Sequence, residues 1–198
     1  MKTLRSLFLV GLACIAVTSA SATTVIAPTF DELVNRAQLI FEGTVTDVRS
    51  QWVGEGGQRR IVSYVTVKVE DGLKGEAGPT YTLQMLGGTV GGTTMEISDS
   101  PKFKVGDRDI LFVENNGAQF IPLVGIMHGR FRVQQDSASV DAIVLTSEGE
   151  QVGDLAKLGK DAHGDRMITD HSIVANAEST PALTVAAFKA AIRSRLSE

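Results

Sequence analysis

The sequence predicts a mainly β fold, a small antiparallel barrel or sandwich with one helix before it and one after it. Three observations carry this. From Leu39 to Thr146 the chain passes through short stretches rich in β-branched and aromatic residues, separated by Gly, Asp and Asn turns. Within them Val65, Val67 and Val69 alternate with Tyr64, Thr66, Lys68 and Glu70, the two-residue period of a half-buried antiparallel strand. Helical spacing of apolar residues occurs only near the two ends, whereas a parallel α/β sheet would need a helix after each strand.

The chain opens with an expected secretory signal peptide, residues 1–22. Lys2 and Arg5 form a positive start, Leu7 to Val17 is uncharged and largely apolar, and Ala20-Ser21-Ala22 is a small-residue cleavage site. The apolar run is about half of the ~20 residues that span a bilayer. A lipoprotein signal at Leu12-Ala13-Cys14 fits less well, because Gly11 stands where leucine is usual and the apolar run continues past the cysteine. Processing after Ala22 would remove the only cysteine, leaving no disulfide, thiolate nucleophile or thiolate zinc ligand. It would also leave 17 Lys and Arg against 23 Asp and Glu, a net charge of −6 with no basic block. That balance argues against nucleic acid or an anionic membrane as a partner. No later segment is apolar enough for stable membrane insertion.

The mature part divides into a β domain at 23–146, a polar irregular segment at 147–180 and a C-terminal helix at 181–198. Its helix begins at Thr29, with Glu32 three residues on in a capping-box arrangement, and Phe30, Leu33, Val34 and Ala37 form its apolar face. Strands follow at Leu39 to Trp52, with Gly43 placed for a bulge, and along IVSYVTVKVEDGLKG, Ile61 to Gly75. Further strands are expected at Tyr81 to Leu86, Asp109 to Glu114, Gln119 to Val124, Gly129 to Gln135 and Ala142 to Thr146. From Glu148 to Thr180 no period is visible. The last helix, Thr184 to Leu196, carries an amphipathic stripe of Val185, Phe188, Ile192 and Leu196, with Lys189, Arg193 and Arg195 off it, and is expected to pack on the β domain.

The stretch LGGTVGGTTM, Leu86 to Met95, raises the question of phosphate binding. No lysine followed by Ser or Thr closes it, its glycine spacing fits neither nucleotide-binding loop, and no helix pattern follows, so it reads as a strand connection. No cofactor and no metal is expected. Asp161 to His171 gathers carboxylates with His163 and His171, but at no recognised ligand spacing. No G-x-S-x-G elbow occurs, and no catalytic residue is assigned. The binding residues expected are Trp52, the sole tryptophan, beside the loop Gly54 to Gly57, and the rim Gly88, Gly91, Gly92 and Thr93.

Three segments carry a family resemblance. FDELVNRAQLIFEGTV runs a helix directly into a strand; VTVKVEDGLKG ends the second strand; and PKFKVGDRDILFVENNG contains F-x-x-G-D-x-x-I-L-F. Together they resemble a group of exported bacterial proteins without a settled activity. More distantly they are similar to netrin-like modules, including the N-terminal domain of tissue inhibitors of metalloproteinases. The resemblance spans roughly Thr29 to Val133 and implies an OB-like barrel. Those inhibitors begin with a cysteine that chelates the protease zinc; a chain starting at Thr23 has none, so no inhibitory residue carries over. The expectation is an exported, periplasmic or extracellular, non-enzymatic binding protein whose partner is another envelope or secreted protein, a protease being the class the resemblance nominates. The alternatives are a polysaccharide or small-ligand binder using the barrel face, and a hydrolase using His128 or His163.

Overall fold

The computed structural model of the chain describes residues 26–135, 141–159 and 181–198. Helix α1 (Phe30–Arg36) starts as predicted: Glu32 N donates to Thr29 Oγ1 at 3.3 Å, and Thr29 N donates to Glu32 Oε2 at 2.8 Å. Both donors would otherwise be unpaired at the helix start. Its other end is closed by a residue distant in sequence. Lys74 Nζ donates to the Val34 carbonyl at 2.7 Å and the Asn35 carbonyl at 3.1 Å, satisfying acceptors that a helix terminus leaves open. The lysine of the LKG motif is therefore a helix cap.

Among the described residues eight strands follow: β1 (Leu39–Val53), β2 (Arg60–Lys74), β3 (Thr80–Leu86), β4 (Gly88–Val90), β5 (Thr93–Met95), β6 (Arg108–Val113), β7 (Arg130–Gln135) and β8 (Ala142–Thr146). Helix α2 (Val185–Leu196) ends the chain. Six strands make one antiparallel sheet in the order β3-β2-β1-β6-β7-β8, and β4 with β5 forms a separate hairpin. The fold is mainly β with a helix at each end, as predicted, but the sheet is not closed into a barrel. Its edges β3 and β8 are covered instead. Gln84 N donates to Asn116 Oδ1 at 2.9 Å and Leu86 N to the Phe120 carbonyl at 2.7 Å on one edge. On the other, Val144 N donates to the Leu183 carbonyl at 3.0 Å. Covered edges present fewer ladder groups to foreign strands, part of what closure would otherwise achieve.

The strand expected at Gln119 to Val124 does not form. Only Leu123 bridges to Val113, and Pro122 has no N–H for a ladder. The Phe120 carbonyl accepts from β3, while the Pro122 carbonyl accepts from Glu114 N at 3.2 Å, so the segment straps two strands instead of extending one. The predicted bulge does form: the β1–β2 register shifts between Glu42 and Gly43, where any Cβ would collide with the Lys68 carbonyl.

The sheet is buried on both faces, because neighbouring residues point oppositely. Ile40, Ile110 and Phe112 face a core completed by α1 and α2, while Phe41, Leu111 and Val113 face a second core under loops. Phe188 of α2 centres the first, with ring centroids 4.8 Å from Phe131, 5.8 Å from Phe30 and 6.3 Å from Phe112. Val185 and Ile192 are buried beside it, but Leu196 at the end of the predicted stripe is exposed.

Lys189, placed off the stripe by the sequence, turns into the protein. Its Nζ lies 2.6 Å from Glu42 Oε2 and 2.8 Å from Asp71 Oδ2, and Arg193 reaches the same Asp71 oxygen at 2.8 Å. Arg108 Nη2 approaches the other Glu42 oxygen to 2.6 Å, an ion-pair contact without hydrogen-bond alignment. Burial alone would raise the Asp71 pKa, but the bonds from Lys189 and Arg193 outweigh it and hold the carboxylate below its ordinary range. The same contacts overcome burial at Lys189 and raise its pKa. Helix α2 is thus attached by an aromatic core and a charged network together. Among the described residues no helix is long and apolar enough to cross a membrane.

Candidate functional site

The far halves of β1 and β2 pair beyond the bulges in continuous register, Val48 with Val65, Ser50 with Ser63 and Trp52 with Ile61. Alternation puts these six side chains on one face. The hairpin β4–β5 crosses that face at the serines. A Cβ on Gly88 would fall well inside contact distance of Ser50 Oγ and Ser63 Oγ, so any side chain there would force the serines or the hairpin to shift. Its turn, Gly91-Gly92, has φ of 56° and 81°, both left-handed, as a two-residue hairpin turn matched to strand twist requires. The glycine-rich stretch is a strand connection, folded back as a lid-like hairpin.

Beneath the hairpin lies a cavity of about 320 Å³. Val48, Val65, Met85, Ile97 and Phe103 contribute to its apolar lining, and Ser50, Ser63, Thr89, Thr94 and Ser100 bring hydroxyls. Four of these hydroxyls are ordered by hydrogen bonds. Ser63 Oγ donates to the Gly87 carbonyl at 2.6 Å, which leaves Ser50 Oγ to donate to Ser63 Oγ at 2.8 Å. With its proton committed, Ser50 retains acceptor capacity. Thr89 and Thr94 are bonded across the hairpin at 2.9 Å. The charged lining residues Glu96 and Lys102 pair with each other at 3.1 Å on the surface, an interaction of small energetic weight.

Of the five expected binding residues, Gly88 lines this cavity. Gly91, Gly92 and Thr93 form the exposed tip and start of the returning strand, outside the lining. Trp52 lies two residues beyond Ser50 on the same face, 37 % exposed, with the Arg59 guanidinium 4.7 Å from its ring centroid. The hydroxyl residues Ser50, Ser63, Thr89 and Thr94 were not singled out by the sequence. Serines and threonines are common in strands, and only the hairpin crossing, fixed by tertiary structure, brings these four together.

Arg130 marks a second region. It is buried, lies 4.2 Å over the Phe103 ring, and donates to Asp109 Oδ1 at 2.9 Å, Asp107 Oδ2 at 2.8 Å and the Lys102 carbonyl at 2.8 Å. Burial raises the Asp109 pKa against the pull of Arg130. Phe103, Asp107 and Asp109 all belong to the F-x-x-G-D-x-x-I-L-F stretch, so that motif builds a structural clamp. Next to it His128 lines a separate cavity of about 350 Å³. His128 is half-buried, and desolvation lowers its pKa although Glu148 and Asp99 act to raise it, which favours the neutral imidazole.

His163, His171 and the Asp161 to His171 stretch lie outside the described residues. Among the described residues no group of three or more His, Cys, Asp or Glu is placed to hold a metal ion. No family model matches this chain, and neither a curated protein nor a solved structure matches it.

Proposed function

We propose that the chain is an exported, non-enzymatic binding protein that takes up a segment of another envelope or secreted protein beneath the β4–β5 hairpin. The observation that carries this reading is the glycine-built crossing. It holds a two-stranded cover over a cavity of mixed hydroxyl and apolar lining, whose charged residues are already paired to one another. Such a lining suits an apolar anchor side chain and the polar backbone around it. The free acceptor on Ser50 favours a ligand that offers an N–H. Export rests on the leader-like pattern of residues 1–22, and a protease as partner class rests on the resemblance to netrin-like inhibitors.

The size of the cavity also favours a second reading, a small-ligand or polysaccharide binder, since about 300–1,000 Å³ is the ordinary range for such sites. One experiment separates them. The processed chain is immobilised, crosslinked to envelope and culture-medium proteins, and compared with Thr94→Trp, which fills the cavity from an exposed lining position. A partner held by the unmodified chain and lost from the variant, with unchanged circular dichroism, supports the protein-binding reading. A partner recovered equally by both would remove the cavity from the interface. Retention of glycan or small metabolites in place of protein would transfer the site to the second reading.

A further inference from the structure

The His128 cavity lies apart from the hairpin and has a construction of its own. It is lined by four parts of the chain: Pro28 and Leu33 at α1, Met127 and His128 before β7, Thr146 at the end of β8 with Ser147, Glu148 and Glu150 beyond it, and Lys157 to Gly159. The loop that presents His128 is held in an unfavourable conformation. Ile126 has φ of 62°, a left-handed value that a β-branched side chain rarely adopts. Three backbone bonds fix it there: Val124 N to the Phe112 carbonyl at 3.0 Å, Ile126 N to the Leu123 carbonyl at 3.0 Å, and His128 N to the Gly125 carbonyl at 3.2 Å. Strain of this kind persists only where surrounding contacts over-determine it, and it gathers at binding sites.

The polar groups of the cavity fall into two sets. Arg130 is fully engaged by Asp109, Asp107 and the Lys102 carbonyl, so it serves as floor. His128, Glu148, Glu150 and Lys157 make no side-chain hydrogen bond or ion pair among the described residues. The cavity therefore presents two uncommitted carboxylates from the turn after β8 and one ammonium from a different element. An imidazole able to donate one hydrogen bond and accept another stands between Met127 and Gly129, and Pro28, Leu33, Phe131 and Leu158 form an apolar wall.

We propose that this cavity is a second ligand site, for a small zwitterion with an apolar body: a free apolar amino acid or a very short apolar peptide. The ammonium of such a ligand pairs with Glu148 and Glu150, its carboxylate with Lys157, and its side chain packs on the half-buried Met127 and Leu158. His128 contributes a hydrogen bond in place of a charge, which leaves the balance of the two ionic contacts intact. About 350 Å³ holds a ligand of this size with little space to spare for a large one.

The test uses the unmodified processed chain, labelled with ¹⁵N, and three probes titrated in turn: L-leucine, L-leucinamide, which lacks the carboxylate, and N-acetyl-L-leucine, which lacks the ammonium. The expected result is saturable shifts confined to residues 126–131, 146–150 and 157–159, with leucine binding roughly tenfold or more tightly than either analogue, as loss of about 1.4 kcal/mol per contact implies. Lys157→Met and Glu148→Gln, both at exposed positions, are each expected to weaken leucine roughly tenfold while leaving the spectrum otherwise unchanged. Equal binding of leucine and leucinamide would overturn the zwitterion assignment. Absence of shifts with all three probes, or shifts centred on Thr89 and Thr94 instead, would overturn the site.

Discussion

The two faces of the sheet are buried by different means. One face is covered by helices whose aromatic side chains interlock, with Phe188 fully buried between Phe30, Phe112 and Phe131. The other is covered by loops and by the β4–β5 hairpin, which touches the sheet through serine hydroxyls and leaves a cavity of about 320 Å³. A helix brings a continuous stripe and fills the space beneath it; a two-stranded hairpin with glycines at its crossing cannot. A filled aromatic core lies under the helices, and an open cavity lies under the hairpin.

The largest effect that would break this division is in the first half. Phe188→Ala removes the ring that joins α2 to the sheet and is expected to cost about 3–5 kcal/mol, as for other buried aromatic truncations. Denaturant unfolding followed by circular dichroism measures it. Trp52, the sole tryptophan, sits on the far arm of β1 and β2 and reports on the other half. At low denaturant its emission is expected to remain native while helical signal falls. Loss of both signals together, with unchanged cooperativity, would show that the halves do not act separately.

A smaller and more local effect is expected from Gly88→Ala. The added methyl meets Ser50 and Ser63, and φ of 132° disfavours any side chain there, so the cost is about 1–3 kcal/mol, in the range of overpacking. Introducing Ser63→Ala in the same chain removes one colliding hydroxyl and is expected to recover part of the loss, leaving the backbone share. Additive effects of the two substitutions would mean that the hairpin does not rest on the serines.

How much of this was legible in the chain depends on the range of the interaction. Thr29 and Glu32 lie three residues apart and announced the α1 start; the Val65, Val67, Val69 alternation announced a buried strand face; and Gly43 announced a bulge. Each is a local rule acting on adjacent residues. Closure into a barrel is a global property, and nothing in the sequence revealed that Asn116, Phe120 and Leu183 would cover the sheet edges instead. The segment Gln119 to Val124 looked like a strand by composition, yet Pro122 and the demands of two neighbouring strands made it a strap. The site was legible only in part for the same reason: glycines stand out in a sequence, but the four hydroxyls they bring together are separated by up to 44 positions from Ser50 to Thr94. Lys189 likewise read as a surface residue of α2, because its partners Glu42 and Asp71 come from strands more than a hundred residues away.

The smallest expected effect lies at the boundary between the halves, where His128 occupies its own cavity. Desolvation lowers the His128 pKa in the folded protein below its ordinary value near 6.5, while the unfolded chain restores that value. Below about pH 6.5 the unfolded state therefore binds the proton more readily than the folded state, and stability rises with pH across this window. The contribution is fully present above pH 6.5 and is lost as pH falls through that value toward the lower folded pKa. Glu148 and Asp99 oppose the shift, so the slope is modest. His128→Asn keeps a donor and an acceptor but cannot titrate. The difference in unfolding free energy between the two proteins is expected to be flat above pH 7 and to shrink in the variant's favour between pH 6.5 and 5. A difference that moves the other way would mean that Glu148 and Asp99 outweigh burial and that the cavity holds a charged imidazole. The ligand contacts assigned there would then have to be redrawn around a second cation.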